Sequence, residues 1–324
     1  MDTAAVMFAR ACAMGGLHLF GRREYYSNIM GRHSYYDVRV ARHELTCHRD
    51  QVDLLTTFEP ESLARHALAV MPGGGLIYDV DDADVPLERI TFLDERVQED
   101  LRAYLSERGL PASTAGLLAD AQQRGVHTFA VSYDEITHAL AEALQVPQAA
   151  ADRTLNTIAV ALSCALLGYD PLYLVKALEK TFRGRQRIID MNRRAVELSY
   201  AFVRDTFGGH GFERRLVPQE TRERRLFLNG NQAVALGKLA GGLAFQTYYP
   251  ISPATDESVY LEAHESFLHP RRRGNRRGGG ADRRRAGGGE HGRRGGPYRS
   301  TQCHRHLGSG LFAHGGGSWL GGDQ

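Results

Sequence analysis

The chain has 324 residues, 42% of them hydrophobic and 9% aromatic, which is enough for about two domains and a sizeable core and excludes a fully disordered protein. Its formal net charge of +2 hides an asymmetry: the last 57 residues, from Leu268, hold 12 Arg, no Lys, 3 acidic residues and 17 Gly, with no Val, Ile or Met, leaving 28 basic against 35 acidic residues ahead of them. The body is therefore acidic, which argues against nucleic acid as its partner, because such binding relies on basic surface.

Cys12, Cys47, Cys164 and Cys303 stand far apart, with no C-x2-C pair to start a zinc site or an iron-sulfur cluster. Asp2 and Arg10 break the apolar run at the N-terminus, which lacks the shape of a secretory signal, and the longest apolar stretch, Ile158 to Leu167, is too short to span a bilayer. A cytoplasmic protein with no membrane partner is the expectation.

Asp2 to Gly15 is expected to be a helix, with Ala5, Val6, Phe8, Ala9, Cys12 and Ala13 at helical spacing and Gly15-Gly16 ending it. Leu17 to Phe20, Ser34 to Val40, Val52 to Leu55 and Leu76 to Asp79 read as strands. Gly73-Gly74-Gly75 precedes the last of these, so it reads as a plain turn rather than a phosphate loop. Residues 113–180 read as mostly helical, broken at Gly168-Tyr169-Asp170-Pro171, and the charged stretch Glu213 to Arg225 reads as an interdomain linker. Beyond it come a short strand, Leu226-Phe227-Leu228, a capping turn, Asn229-Gly230-Asn231, and a small-residue helix, Gln232 to Leu243. A strand at Phe245 to Tyr249 then leads into a loop, Pro250 to Thr255. That order is the opening βαβ of a doubly wound domain, in which ligands sit at the carboxyl ends of strands. The prolines on either side of Ser252 would hold its hydroxyl in one place.

Asn229 to Gly237, followed by Tyr249-Pro250-Ile251-Ser252-Pro253-Ala254-Thr255, resembles the start of the pyrimidine-binding domain of 2-oxoacid:ferredoxin oxidoreductase α subunits. The usual loop there is Y-P-I-T-P; Ser252 replaces the threonine and keeps its hydroxyl. Upstream, Gly31-Arg32-His33-Ser34-Tyr35-Tyr36-Asp37-Val38-Arg39-Val40 is similar to the G-G-H-S-x-Y-x-V-R-V stretch of the γ domain that many of these enzymes fuse ahead of the α domain, and Asn156, Phe182 and Asn192 match its helical half. The resemblance covers residues 1 to about 265. It implies an α/β protein with a Rossmann-like γ domain over 1–205, a linker over 206–225 and the start of a doubly wound pyrimidine-binding domain over 226–267.

The resemblance implies oxidative decarboxylation of a 2-oxoacid on thiamine diphosphate, with the acyl group leaving on coenzyme A and electrons passing to ferredoxin. It places Tyr249, Pro250, Ile251, Pro253, Thr255 and Asn231 at the cofactor, and has Ser252 donate a hydrogen bond to the 2-oxoacid. Gly31, His33 and Ser34 would contact coenzyme A or a neighbouring domain. The diphosphate, its Mg2+ and the iron-sulfur cluster would belong to a partner β subunit, leaving no metal site in this chain. Taken alone, His33 reads equally as a packed core histidine, Asn231 as a turn or cap residue, and Ser252 as a turn serine bonding its own backbone. The fused γ domain leans toward 2-oxoglutarate or broad-range enzymes.

The sequence departs from that family at both ends. The γ domain usually opens on a strand and a G-x-G-G-x-G loop, whereas this chain begins inside the following helix, as a fragment or a late-assigned start would. After Glu262-Ala263-His264-Glu265, the usual acidic motif and the S-G-P-G-F-S-L-M-A-E-G-L-G-W-A-G sequence do not follow. Reading residues 276–324 one nucleotide later permits both a D-D-E motif and that sequence, so residues 268–324 are expected to be a disordered frameshift product. The catalytic glutamate would be the last acid of D-D-E, so the chain as written is expected to be inactive. The alternative is a binding protein whose Arg/Gly tail contacts RNA, although Tyr298, Phe312 and Trp319 stand mostly apart from the Arg clusters.

Overall fold

A computed structural model describes residues 2–25, 33–209, 211–221, 223, 225–243, 245–251, 254–264 and 299–302, in two units, 1–224 and 225–324. In the first unit, helix α1 (Asp2–Met14) leads into an antiparallel ribbon of β1 (His18–Tyr25) and β2 (Ser34–Ala41), in register from His18 opposite Ala41 to Tyr25 opposite Ser34. A three-stranded parallel sheet follows. Its strands β3 (Val52–Thr56), β4 (Val70–Asp79) and β5 (His127–Val131) lie in that order, with α2 (Pro60–His66) crossing from β3 to β4, and α3 (Glu95–Glu107) and α4 (Thr114–Gln123) crossing from β4 to β5. Helices α5 (Tyr133–Leu144), α6 (Gln148–Ala151), α7 (Leu155–Leu166), α8 (Pro171–Thr181) and α9 (Gln186–Phe207) complete the unit.

Side chains on a strand alternate faces, and the core follows that alternation. Leu76 of β4 joins Leu63, Leu101, Leu105 and Leu117 on the face covered by α2, α3 and α4. The next residue, Ile77, joins Phe129, Leu140, Ile158, Leu162 and Ala195 on the face covered by α5, α7 and α9. A third cluster seats Met7, Ala11 and Cys12 of α1 against Cys164, Leu174 and Val196.

The sequence reading of 113–180 as mostly helical misses β5, a five-residue strand whose Phe129 and Val131 are buried. Gly73-Gly74-Gly75 is not a turn ahead of a strand but an irregularity inside β4, where the pairing steps from Val52 opposite Val70 to Leu54 opposite Gly75. Gly73 has φ +72°, and a β-carbon on Gly74 would lie 2.7 Å from the Met71 carbonyl, so the glycines permit the bulge. Residues 211–221, within the stretch read as a linker, fold back on the first unit. Phe212 is 2% exposed in the core, and the Leu216 and Gln219 amides donate to the Leu167 and Gly15 carbonyls.

The second unit departs further from its expected βαβ. Leu226-Phe227-Leu228 forms no strand, and Leu226 is 80% exposed. Helix α10 (Gly230–Ala240) starts from a capping box in which Asn229 Oδ1 accepts from the Gln232 amide and Gln232 Oε1 accepts from the Asn229 amide. Strand β6 (Phe245–Tyr248) and helix α11 (Ala254–Ala263) follow. Lys238 donates to Gln246, Gln246 to Ser258, and Tyr248 to Glu262, tying the three elements together. Of the 268–324 stretch, expected to be disordered, the described part is a strand, β7 (Arg299–Gln302), antiparallel to β6. Pairing at an open strand edge uses main-chain groups and needs no apolar residues, which is why composition alone misses it. Among the described residues, no helix is long and apolar enough to cross a membrane.

Candidate functional site

The residues singled out by sequence lie in both units. In the second, Tyr249, Pro250 and Ile251 leave the carboxyl end of β6 with large apolar side chains on the surface, Tyr249 at 47% and Ile251 at 52% exposure. The Ile251 amide donates to the Tyr249 carbonyl, and the Ile251 carbonyl accepts both the amide and the hydroxyl of Thr255. The Thr255 hydroxyl proton is thus spent inside the first turn of α11, so its oxygen has only acceptor capacity left for a ligand. Ser252 and Pro253 lie outside the described residues. Asn231 stands in the first turn of α10, and the capping residue is its neighbour Asn229.

In the first unit, the carboxyl edge of the parallel sheet carries acids. Asp79 ends β4, its Oδ1 accepting from the Asp81 amide, and Asp82 follows one turn later. Burial, reinforced by the neighbouring Asp79, Glu59 and Asp81 charges, pushes the Asp82 carboxyl up to about 6 and raises Asp79 as well. Asp82 Oδ2 is buried with no hydrogen-bond partner among the described residues. Tyr133, 3% exposed, donates its hydroxyl to the Thr57 carbonyl, and burial raises its phenol above the ordinary value. An edge of this sign repels phosphate and can hold a proton near neutrality.

His33 lies immediately ahead of β2 and packs against α2. Its Nε2 is 2.8 Å from His66 Nε2, and Tyr35 lies against both rings, with centroids 5.6 Å from His33 and 4.4 Å from His66. Its Nδ1 faces Glu59 Oε1 at 3.8 Å, longer than a hydrogen bond. Donor atoms of His33, Glu59 and Glu61 all fall within 4.8 Å of one another. Burial, then the His33 charge, depresses His66 to about 4, while the adjacent His33 holds Glu59 below the usual carboxylate range. The His33 side chain is 1% exposed, so its ring has little surface for a ligand as large as coenzyme A. Ser34 begins β2 opposite Tyr25, and Gly31 lies outside the described residues. The sequence reading missed Glu59, Glu61 and His66; the Glu-Pro-Glu at the start of α2 was a local signal, but its nearness to His33 is a product of the fold.

A family model described as pyruvate ferredoxin/flavodoxin oxidoreductase matches residues 1–202. The chain belongs to that family. The 2-oxoacid:ferredoxin oxidoreductase 1 α subunit of Sulfurisphaera tokodaii is 35% identical over 268 residues, 83% of this chain and 41% of the relative. The α subunit from Saccharolobus solfataricus is 33% identical over 267 residues, 82% of this chain and 41% of the relative. The chain thus spans about two fifths of the length of these curated relatives. A solved 2-oxoglutarate:ferredoxin oxidoreductase from Magnetococcus marinus, with 2-oxoglutarate, coenzyme A and succinyl-CoA bound, has a TM-score of 0.58 and 23% identity, covering 81% of this chain and 38% of that one. That likeness supports the fold of this pyruvate ferredoxin/flavodoxin oxidoreductase family member, a helix-covered α/β unit with a parallel sheet.

Proposed function

We propose that this chain is part of the α subunit of a 2-oxoacid:ferredoxin oxidoreductase, with a γ-type domain over 1–205 onto which residues 211–221 pack, and the beginning of the pyrimidine-binding domain over 226–267. The observation that carries the reading is the 35% identity to a named α subunit over 268 residues, a span longer than the match to the family model. Thiamine diphosphate supplies the carbon–carbon bond cleavage in such enzymes. Tyr249 and Ile251 fit its aminopyrimidine end, because exposed apolar side chains at a strand's carboxyl end are surface that a flat ring can cover. Pro250 and Pro253 stiffen the loop, and Ser252 donates a hydrogen bond to the 2-oxoacid. Asn231 and Thr255 border the loop, with Thr255 limited to accepting.

A β subunit completes the site with the diphosphate, Mg2+ and an iron-sulfur cluster, and ferredoxin takes the electrons. Coenzyme A takes the acyl group, with Gly31 and Ser34 at its contact or at a domain contact. The preferred substrate in this reading is 2-oxoglutarate or a broad range of 2-oxoacids, in the cytoplasm. The decisive experiment begins with resequencing the gene across codons 262–290 to test for a displaced base. The frame-restored gene is then co-expressed with a β subunit and assayed for ferredoxin reduction dependent on 2-oxoacid and coenzyme A. Turnover with 2-oxoglutarate or several 2-oxoacids supports the reading. A confirmed frame with stop codons in the displaced frame removes the frameshift account, and a restored pair with no 2-oxoacid-dependent reduction removes the function.

A further inference from the structure

We propose that His33, Glu59 and Glu61 form a binding site for one divalent transition-metal ion of the Zn2+ class, with His66 as the group that orients His33. The proposal is independent of the thiamine reading, since all four residues lie in the first unit.

The donor set is one imidazole nitrogen and two carboxylates, a combination that suits Zn2+ and its borderline neighbours and leaves room for water. The spacing suits it as well. Two ligands on a tetrahedral Zn2+ at about 2.0–2.1 Å lie roughly 3.3 Å apart, and His33 Nδ1 stands 3.8 Å from Glu59 Oε1, with the Glu61 donor inside the same 4.8 Å set. That gap is too long for a hydrogen bond and slightly wider than a bridged pair, so a small inward shift of the exposed Glu59 closes it.

Each proposed ligand is already held by a second group, as metal ligands usually are. His33 Nε2 lies 2.8 Å from His66 Nε2; in the tautomer that metal binding requires, His33 donates from Nε2 to His66 and turns its Nδ1 lone pair toward the carboxylates. Tyr35 packs on both rings and fixes their planes. Arg65 Nε donates to Glu61 Oε1 at 2.9 Å, leaving Glu61 its other oxygen, and Ser62 donates to Glu59 Oε1 at 3.2 Å.

Arg65 pairs with both Glu61 and Asp94, at 2.9 Å each, which fixes the Glu61 carboxylate in place. His33 and Glu61 are both buried, at 4% and 6% exposure, so two of the three ligands are already ordered by packing.

The test uses the full chain, untagged, stripped with chelator and titrated at pH 7.5 with Zn2+ by calorimetry and with Co2+ by visible absorption. One high-affinity equivalent is expected, with tetrahedral or five-coordinate Co2+ bands and a raised melting temperature. Glu59→Gln changes an exposed side chain and should leave the apo protein folded while weakening binding at least 10-fold. His33→Ala should abolish the Co2+ bands. Cys47→Ser, with His43 and His48 retained nearby, should leave the equivalent intact. The absence of a stoichiometric Co2+ spectrum in the wild type overturns the proposal. So does an equivalent that survives Glu59→Gln and His33→Ala undiminished, which would place the metal on the surface thiol or in the histidines of the tail.

Discussion

Asn192 of α9 accepts the Thr157 hydroxyl of α7 through Oδ1 and donates its own amide to the Ile188 carbonyl, so one buried side chain joins two helices and satisfies itself. Both residues are buried, at 5% and 4% exposure. Asn192→Ala strands the Thr157 hydroxyl and opens a cavity, and should cost about 2–4 kcal/mol in urea unfolding. The pair Thr157→Val with Asn192→Leu removes both polar groups together and should recover at least half of that loss. If the double variant is no better than Asn192→Ala, packing rather than hydrogen bonding holds this seam.

His66 and Asp82 give the first unit opposing pH dependences. His66 titrates near 4 in the fold against 6.5 unfolded, so its stabilisation is complete above pH 6.5 and is lost as pH falls toward 4. Asp82 titrates near 6 against 3.8 unfolded, so its contribution is complete below pH 4 and is lost as pH rises to 6. Each effect is about 1–3 kcal/mol, and across this window they offset one another. Asp82→Asn should therefore raise stability at pH 7 and make the loss between pH 6.5 and 4 steeper than in wild type, whereas His66→Gln should turn the slope the other way. Urea midpoints at pH 4.5, 5.5 and 7 measure this; parallel curves for all three proteins would show that neither group is perturbed.

Gly16 keeps residues 211–221 seated on the first unit. It has φ +78°, and a β-carbon there would fall 1.9 Å from the Gln219 carbonyl, whose own amide donates to Gly15 at 2.7 Å. Gly16→Ala combines backbone strain of about 1–3 kcal/mol with that collision. Trypsin should then cut after Arg214 or Arg215 at least several-fold faster than in wild type, while the parallel sheet stays folded by circular dichroism. An unchanged cleavage rate would mean that this segment is not held by the Gly16 contact.

Where a local pattern decides the structure, the sequence was readable. The helical spacing of α1, the alternation of β2 and the Gly168-to-Pro171 break between α7 and α8 are properties of neighbours in sequence. Asn229 announced the start of α10 for the same reason. The misreadings fall where a distant partner decides. His127 to Val131 becomes a strand because β4 offers it an edge, whereas the equally apolar Leu226-Phe227-Leu228 has no pairing among the described residues. The site follows the same division: His33 stood out through its motif, but Glu59, Glu61 and His66 reach it only after β3 and α2 have folded, and His66 lies 33 residues away. The acidic cluster at the carboxyl end of β4 was missed because its raised protonation depends on burial, which no spacing displays.

Ser252 carries the sharpest prediction for the proposed activity. It follows Tyr249-Pro250-Ile251, where the Ile251 amide donates to the Tyr249 carbonyl, and it precedes α11, whose Thr255 hydroxyl donates to the Ile251 carbonyl. In the proposed site Ser252 is the donor to the 2-oxoacid. In the frame-restored enzyme with its β subunit, Ser252→Ala should lower kcat/KM for the 2-oxoacid by roughly 10-fold to 1000-fold, as expected for a hydrogen bond that strengthens in the transition state. Ser252→Thr, which keeps a hydroxyl in the residue type the related loops carry, should retain most of the rate, while Thr255→Val should change it less than Ser252→Ala does. Unchanged kinetics in Ser252→Ala would remove the residue from the site, and an equal loss in Ser252→Thr would assign it to packing of the loop rather than to the substrate.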